Sequence, residues 1–126
     1  MGRLIFIALN TADLARSEAW YHAAIGIDFH HDVNEPLDDP WYGGAHAAIS
    51  WTGGAFLHFA LFPARVPERP VTRAAQIGFA VDDIDAAHAR VVACGHAVVH
   101  APRAEPWGTT GRYRDPDGNL VSITQR

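Results

Sequence analysis

Lysine is missing from this chain of 126 residues, and cysteine occurs once. All ten basic residues are arginine, and the one cysteine, Cys94, excludes an intramolecular disulfide and a cysteine-based zinc cluster. We expect Cys94 to be a small buried residue of a helix. The formal net charge of −4 gives no electrostatic basis for binding nucleic acid, so no such partner is predicted.

Long hydrophobic runs are missing as well. The apolar run near the N-terminus stops at Asn10, which makes it too short to span a membrane, and no cleavage signature follows it. We therefore expect no membrane partner and a cytoplasmic location. With 48% hydrophobic and 19% charged residues, the composition is typical of a globular domain with a real core.

The chain does contain an internal repeat, whose period is the 70 residues from Asp13 to Asp83. The segments Phe6–Gly26 and Gln76–Gly95 each begin with a short apolar run suited to a buried strand. In each, an aspartate that can cap free N–H groups begins a helical pattern, and a glycine ends it. The repeat therefore predicts two modules of the same architecture.

Strand and turn signals follow each helix, which predicts the order β-α-β-β-β twice and an α+β fold. A strand, a loop and a hairpin are predicted at 27–33, 34–44 and 45–62, turning at Gly53-Gly54, and again at 96–101, 102–107 and 109–125, turning at Asp117-Gly118. The proline-rich segment 63–73 is predicted to link module one (1–62) to module two (74–126). Because neither half can bury its sheet face well alone, we expect a single domain over 1–126.

The motifs GFAVDDIDAAHARVVACG and PWGTTGRYRDPDGN, together with the duplicated βαβββ order, resemble the vicinal oxygen chelate superfamily. This superfamily includes glyoxalase I, extradiol dioxygenases and bleomycin resistance proteins, and the resemblance covers nearly the whole chain. It implies paired modules whose mixed sheet curls around an open trough. In the enzymes, the trough holds a divalent metal through a His or Gln on the first strand and a Glu on the last strand of each module.

By this resemblance, the metal-ligand positions are occupied by Phe6, His58, Gln76 and Ser122. Phe6 has no ligand atom, Ser122 is a weak neutral ligand, and Gln76 offers one carbonyl oxygen. With no carboxylate to offset the charge of a divalent cation, we expect no metal and no cofactor. Loss of the carboxylate also removes the usual general base, so no catalytic residue is predicted. The other seven histidines lack metal-ligand spacing and are expected to be solvated or packed.

A short two-module chain without these ligands is most similar to the bleomycin resistance branch. That resemblance implies a homodimer that sequesters an aromatic natural product, such as a bleomycin-type antibiotic, without chemistry. Acidic residues flank the aromatic residues of both long loops, which favours a cationic ligand; they are Glu35, Asp38, Asp39 and Glu105. Trp20 and Trp51 are instead expected in the core. The predicted ligand-binding residues are Phe6, Trp41, Tyr42, His58, Gln76, Trp107, Arg112 and Ser122.

Two other functions are compatible with the sequence. A metal-dependent lyase or isomerase of the glyoxalase or dioxygenase type would use His58 and Gln76, with its other ligands one position away from those named above. A metal-free enzyme would use His58 as a general base in an aromatic pocket. Stoichiometric metal in the purified protein would identify the first, and a pH–rate profile would identify the second. Arg112 either orients a ligand or points to solvent.

Overall fold

The order β-α-β-β-β occurs twice in the computed structural model, which describes residues 1–53, 56–95 and 97–126. This confirms the predicted α+β class with two tandem modules. The first module consists of β1 (Phe6–Thr11), α1 (Leu14–Ile25), β2 (His30–Asn34), β3 (Gly44–Trp51) and β4 (Leu57–Pro63). The second consists of β5 (Gln76–Ala80), α2 (Ile84–Ala93), β6 (Val98–Glu105), β7 (Gly108–Arg114) and β8 (Leu120–Gln125).

Each module forms a four-stranded mixed sheet, and the two sheets have equivalent strand orders, β1-β4-β3-β2 and β5-β8-β7-β6. In both, the first strand of the module runs parallel to the last, and the other neighbours are antiparallel. A parallel pair needs a long crossover connection, and the helix lies in that connection in each module.

Both helices begin after the aspartates identified in the sequence. The backbone N–H of Arg16 donates to the Asp13 carboxylate and that of Ala86 donates to the Asp83 carboxylate, each at 3.0 Å. These bonds satisfy amide groups that have no partner in the first turn of a helix. Within the described residues, no helix is both long enough and apolar enough to cross a membrane.

By their contacts, the residues group into two compact units whose boundaries differ from those of the modules. The first unit is Met1–Glu18 with Asp28–Thr72, and the second is Ala19–Ile27 with Arg73–Arg126. The second half of α1 thus belongs to the second unit. In the first unit the buried core includes Leu9, Ala47, Ala48, Phe59, Ala60, Leu61 and Phe62. In the second it includes Trp20, Tyr21, Ile84, Ala87, Val91, Tyr113, Val121 and Ile123.

The segment 63–73, predicted to be a linker, contributes a buried arginine to the first unit. Arg69 is 2% exposed, and it donates to the carbonyl oxygens of Pro63 and Gly43 at 3.0 and 3.1 Å. Its guanidinium also lies 5.2 Å from the centre of the Phe62 ring. Carbonyl dipoles and an aromatic face thus stabilise a charge that would otherwise be costly to bury.

Several local predictions are corrected by the structure. Cys94 is exposed, because it follows the last residue of α2 and lies beyond the buried face of the helix. Trp20 is buried as predicted, but Trp51 is 38% exposed, since it ends β3 at the margin of the sheet. The strand predicted from residue 27 begins at His30. The predicted loop 102–107 is largely strand, because β6 is an edge strand and can accommodate Pro102 near its shifts of register. The predicted turn residue Gly54 and the predicted strand residue His96 lie outside the described residues.

The turn DPDGN between β7 and β8 centres on one buried carboxylate. Asp115 Oδ1 accepts hydrogen bonds from the backbone N–H groups of Asp117 and Asn119, both at 2.9 Å. Asp115 Oδ2 accepts from the side-chain amide of Asn119 at 2.9 Å and from the Tyr21 hydroxyl at 2.7 Å. Asn119 Oδ1 accepts from the backbone N–H of Ala75, next to β5. This polar network therefore joins α1, β5 and the final hairpin within the second unit.

We predict that Tyr21→Phe lowers the free energy of unfolding by about 1–3 kcal/mol, because a buried carboxylate loses a hydroxyl donor. Burial and the adjacent Asp115 raise the pKa of Tyr21, so its hydroxyl keeps its proton at neutral pH. Tyr113→Phe is the matched control. Tyr113 is as buried, but its hydroxyl lies 3.0 Å from an imidazole nitrogen of His88 rather than from a carboxylate. Urea denaturation should show the smaller loss for Tyr113→Phe, and equal losses would contradict a special role for Asp115.

Candidate functional site

An aromatic stack lies at one end of the first sheet. Phe6 of β1 is opposite His58 of β4, and the two ring centroids are 5.6 Å apart with 15° between the planes. The Phe56 ring is also nearly parallel to His58, at 6.5 Å and 12°. Phe6 is 47% exposed and Phe56 is 43% exposed. We call Phe6, Phe56 and His58 the aromatic stack; it leaves large apolar rings available to a ligand.

His58 is the polar member of this stack. Its Nδ1 lies 2.7 Å from the Ser50 Oγ on the adjacent strand β3. Burial lowers the pKa of His58, and repulsion from His30 and His46 lowers it further. The ring is therefore uncharged at neutral pH, which suits stacking and leaves the imidazole able to act as a hydrogen-bonding group or a base.

The strand register differs between the two pairs of positions that correspond to metal ligands. Phe6 and His58 are register partners, whereas Gln76 lies opposite Leu120 and not opposite Ser122. In residues 1–53, 56–95 and 97–126, no group of three or more His, Cys, Asp or Glu side chains is placed to hold a metal ion. Because Phe6 has no ligand atom and none of the four side chains is a carboxylate, the divalent metal that the resemblance implies for enzymes does not fit these residues.

Arg112 and Trp107 belong to a second candidate surface, in the second unit. Arg112 Nη1 lies 2.7 Å from the His100 Nε2 and 3.7 Å from the Glu105 carboxylate. The indole N–H of Trp107 donates to Thr110 Oγ1 at 3.1 Å, and the Trp107 side chain is 51% exposed. Thr110 and Arg112 share one face of β7, because successive residues of a strand alternate between faces.

Trp41 and Tyr42 lie in a loop whose backbone is extensively bonded within the first unit. Both of their N–H groups donate to the Asp39 carboxylate, at 2.9 and 3.0 Å. Arg65 donates to the carbonyl oxygens of Leu37 and Asp39 at 3.0 and 3.3 Å. A Cβ added at Gly43 would lie 2.7 Å from the Asp39 backbone, so the loop can close only over glycine. Trp41 is 65% exposed and Tyr42 is 47% exposed, on a supported loop.

Two of the carboxylates predicted to attract a cationic ligand are already engaged. Asp39 accepts the two backbone hydrogen bonds described above. Glu105 accepts a hydrogen bond from Arg103 Nε at 2.9 Å, and this bond, with the charges of Arg103 and Arg112, lowers the pKa of Glu105. These pairings weaken the electrostatic argument for a cationic ligand.

Ser50 and Phe56 are members of the site that the sequence patterns do not reveal. Ser50 faces His58 only because of the register between β3 and β4. Phe56 precedes β4, at a spacing of two residues from His58, so alternation could have placed it on the His58 side. The parallel orientation of the rings depends on side-chain rotamers, which spacing alone does not specify.

Residues 3–123 match a known family model, in agreement with the sheet orders, the capped helices and the buried DPDGN turn. That model describes the Glyoxalase/Bleomycin resistance protein/Dioxygenase superfamily. The chain belongs to this superfamily. No curated protein sequence matches it significantly.

Solved structures with the fold of this superfamily member include TnmS3, an antibiotic binding protein from Streptomyces sp. CB03234. Its TM-score is 0.70, and the identity is 22% over 99% of this chain and 96% of that one. A superfamily member from Sphaerobacter thermophilus DSM 20745 has a TM-score of 0.68 and 20% identity over 100% and 98% of the chains. TioX from Micromonospora sp. ML1 has a TM-score of 0.63 and 23% identity over 100% and 96%. At these identities, the similarity shows the fold alone.

We predict that His58 titrates below the ordinary histidine pKa of 6.5. As the pH falls below that value, the unfolded chain takes up a proton that folded His58 resists. The contribution of His58 to stability is therefore fully present above the unfolded pKa and decreases as the pH falls toward the folded pKa. An NMR titration of the imidazole measures this directly, and His58→Gln should remove this part of the acid sensitivity. A pKa at or above 6.5 would contradict the burial argument.

Proposed function

We propose that this superfamily member binds an aromatic small molecule and sequesters it without chemistry, in the manner of an antibiotic-resistance protein. The observation that carries the proposal is the aromatic stack, in which two half-exposed phenylalanine rings lie nearly parallel to an uncharged imidazole. A flat ring of a ligand can extend this stack and bury apolar surface on both partners. Exposed aromatic clusters of this kind are typical of binding surfaces.

The ligand class in this proposal is an aromatic natural product, with bleomycin-type antibiotics as one group. It is supported by TnmS3, which has the same fold and is described as an antibiotic binding protein. The proposal includes a homodimer, as the resemblance implies, and a cytoplasmic location. The predicted ligand-binding residues that offer exposed rings are Phe6, Trp41, Tyr42 and Trp107.

If the stack binds the ligand, we expect Phe6→Ala to weaken binding by about 1–3 kcal/mol, through loss of a stacking ring. Trp41→Ala and Trp107→Ala test the loop aromatics in the same way. Val92→Ala is the control, because Val92 is a 52% exposed apolar residue of α2 outside the proposed site. Quenching of tryptophan fluorescence by a panel of aromatic antibiotics, bleomycin included, measures the affinities. Affinities that are unchanged in all three ring variants would exclude aromatic stacking as the mode of binding.

Metal independence is part of the proposal, because the metal-ligand positions contain one good donor, His58, and no carboxylate. We expect chelator-treated protein to show no tight, stoichiometric binding of nickel, zinc, iron(II) or manganese in calorimetric titrations. His58→Gln is the control that distinguishes binding at this position from binding elsewhere. One tightly bound metal per chain that disappears in His58→Gln would instead support the alternative, a metal-dependent lyase or isomerase of the glyoxalase or dioxygenase type.

A further inference from the structure

The open face of the second sheet carries a cation, Arg112, whose carboxylate partner Glu105 also pairs with Arg103. Arg112 lies opposite Ser122 of β8 and opposite His100 of β6. The flanking residues Gly111 and Tyr113 are buried, so Arg112 lies on the other face of β7. Its side chain retains 25% of its exposure, which allows the guanidinium to contact a molecule in solution.

Among the described residues, the ion pairs around Arg112 join two arginines to one carboxylate, which leaves one positive charge in excess. Arg103 and Arg112 share a single carboxylate, Glu105, and the closer contact, 2.9 Å against 3.7 Å, is with Arg103. His100 adds no negative charge. Its Nε2 accepts from Arg112 and its Nδ1 lies 2.9 Å from the carbonyl oxygen of Ala101, which can only accept, so the hydrogen-bond network assigns the proton to Nδ1.

Small or polar side chains surround this cation on the same face. Gly78 of β5 lies opposite Ser122 of β8. A Cβ added at Gly78 would meet nothing closer than a backbone oxygen at 4.0 Å. Ser122 therefore offers a hydroxyl beside open space. The hydroxyl of Thr110 lies 2.8 Å from that of Thr124 and receives the Trp107 indole N–H, which orients a half-exposed aromatic ring along the same strand face.

We propose that Arg112 selects an aromatic ligand that carries a carboxylate, whose ring stacks on Trp107. This inference rests on the proposed function and adds the charge class of the ligand to it. Thr110, which holds Trp107, and Arg112 are two residues apart, or about 6.6 Å along a strand, a distance that a fused aromatic carboxylate can span. A planar guanidinium binds a carboxylate through two parallel N–H donors, and such charge-assisted bonds are stronger than neutral ones.

The test uses two probes of the same ring system and nearly the same shape, anthraquinone-2-carboxylate, which is anionic, and its primary amide, which is neutral. Wild-type protein should bind the carboxylate about tenfold more tightly than the amide at low salt. Arg112→Gln should remove this preference by weakening binding of the carboxylate about tenfold and binding of the amide far less, because only the carboxylate loses a charge-assisted bond. Glu105→Gln should strengthen binding of the carboxylate severalfold, because the competing anion is lost; a merely structural role of the cluster would not produce a gain. Arg16→Gln, which removes an exposed arginine of α1, is the charge-matched control and should change neither affinity.

Thermal denaturation checks that each variant is folded. Should Arg112→Gln fail to fold, Arg112→Lys retains the charge and should retain the preference for the carboxylate. In the wild-type protein, raising sodium chloride from about 50 to about 500 mM should weaken binding of the carboxylate and spare the amide, because salt screens partly exposed charges.

The possible failures are distinguishable. Equal affinities of the wild-type protein for the two probes would overturn the charge selection and leave aromatic binding intact. Equal weakening of both probes in Arg112→Gln would show that Arg112 supports the fold and does not contact the carboxylate. Tighter binding of the amide would overturn the charge selection and favour the cationic ligands that the acidic loop residues attract. Binding of neither probe would overturn both the charge selection and the stacking of planar aromatic ligands.

Discussion

The second unit depends on the carboxylate of Asp115. Four hydrogen bonds converge on it, from two backbone amides of its own turn, from the Asn119 side chain and from Tyr21 of α1. A buried carboxylate is costly unless its lone pairs are satisfied, so the turn, the helix and the chain entering β5 must all be in place together. This requirement sets the position of β8 beside β5 and β7, and hence the face on which Ser122 and Arg112 lie.

The first unit also contains a buried charge that its neighbours stabilise, and here the charge is a cation. Arg69 has carbonyl oxygens and the Phe62 ring as its partners, and the Phe62 ring stacks in turn on His46 at 4.6 Å. Arg69 and Arg65 together connect the chain after β4 to the loop that carries Trp41 and Tyr42. The backbone that carries the exposed rings of that loop is therefore held by hydrogen bonds. This lowers the entropic cost of ordering the loop when a ligand binds.

Duplication of the βαβββ order did not preserve equivalent chemistry on the two sheets. The aromatic stack on the first sheet consists of two phenylalanine rings and a histidine, whereas the second sheet carries arginine, hydroxyl and carboxylate groups around Arg112. Register adds to the difference, because Phe6 faces His58 but Gln76 faces Leu120. Counting from turn glycines pairs Gln76 with Ser122 and misses this offset, since residue spacing does not specify how two strands slide past each other.

The sequence by itself determined the element order, the capped helices and the family, because hydrophobic periodicity, aspartate caps and the glycine turns act over a few residues. It also indicated His58, Trp107 and Arg112 as candidate ligand-binding residues. Only the tertiary structure decided that Ser50 and Phe56 accompany His58, that Glu105 pairs with arginine, and that α1 contributes Tyr21 to the Asp115 network. Tyr21 and Asp115 are distant in the chain, and the closer pairs depend on strand register and side-chain rotamers that no local pattern encodes.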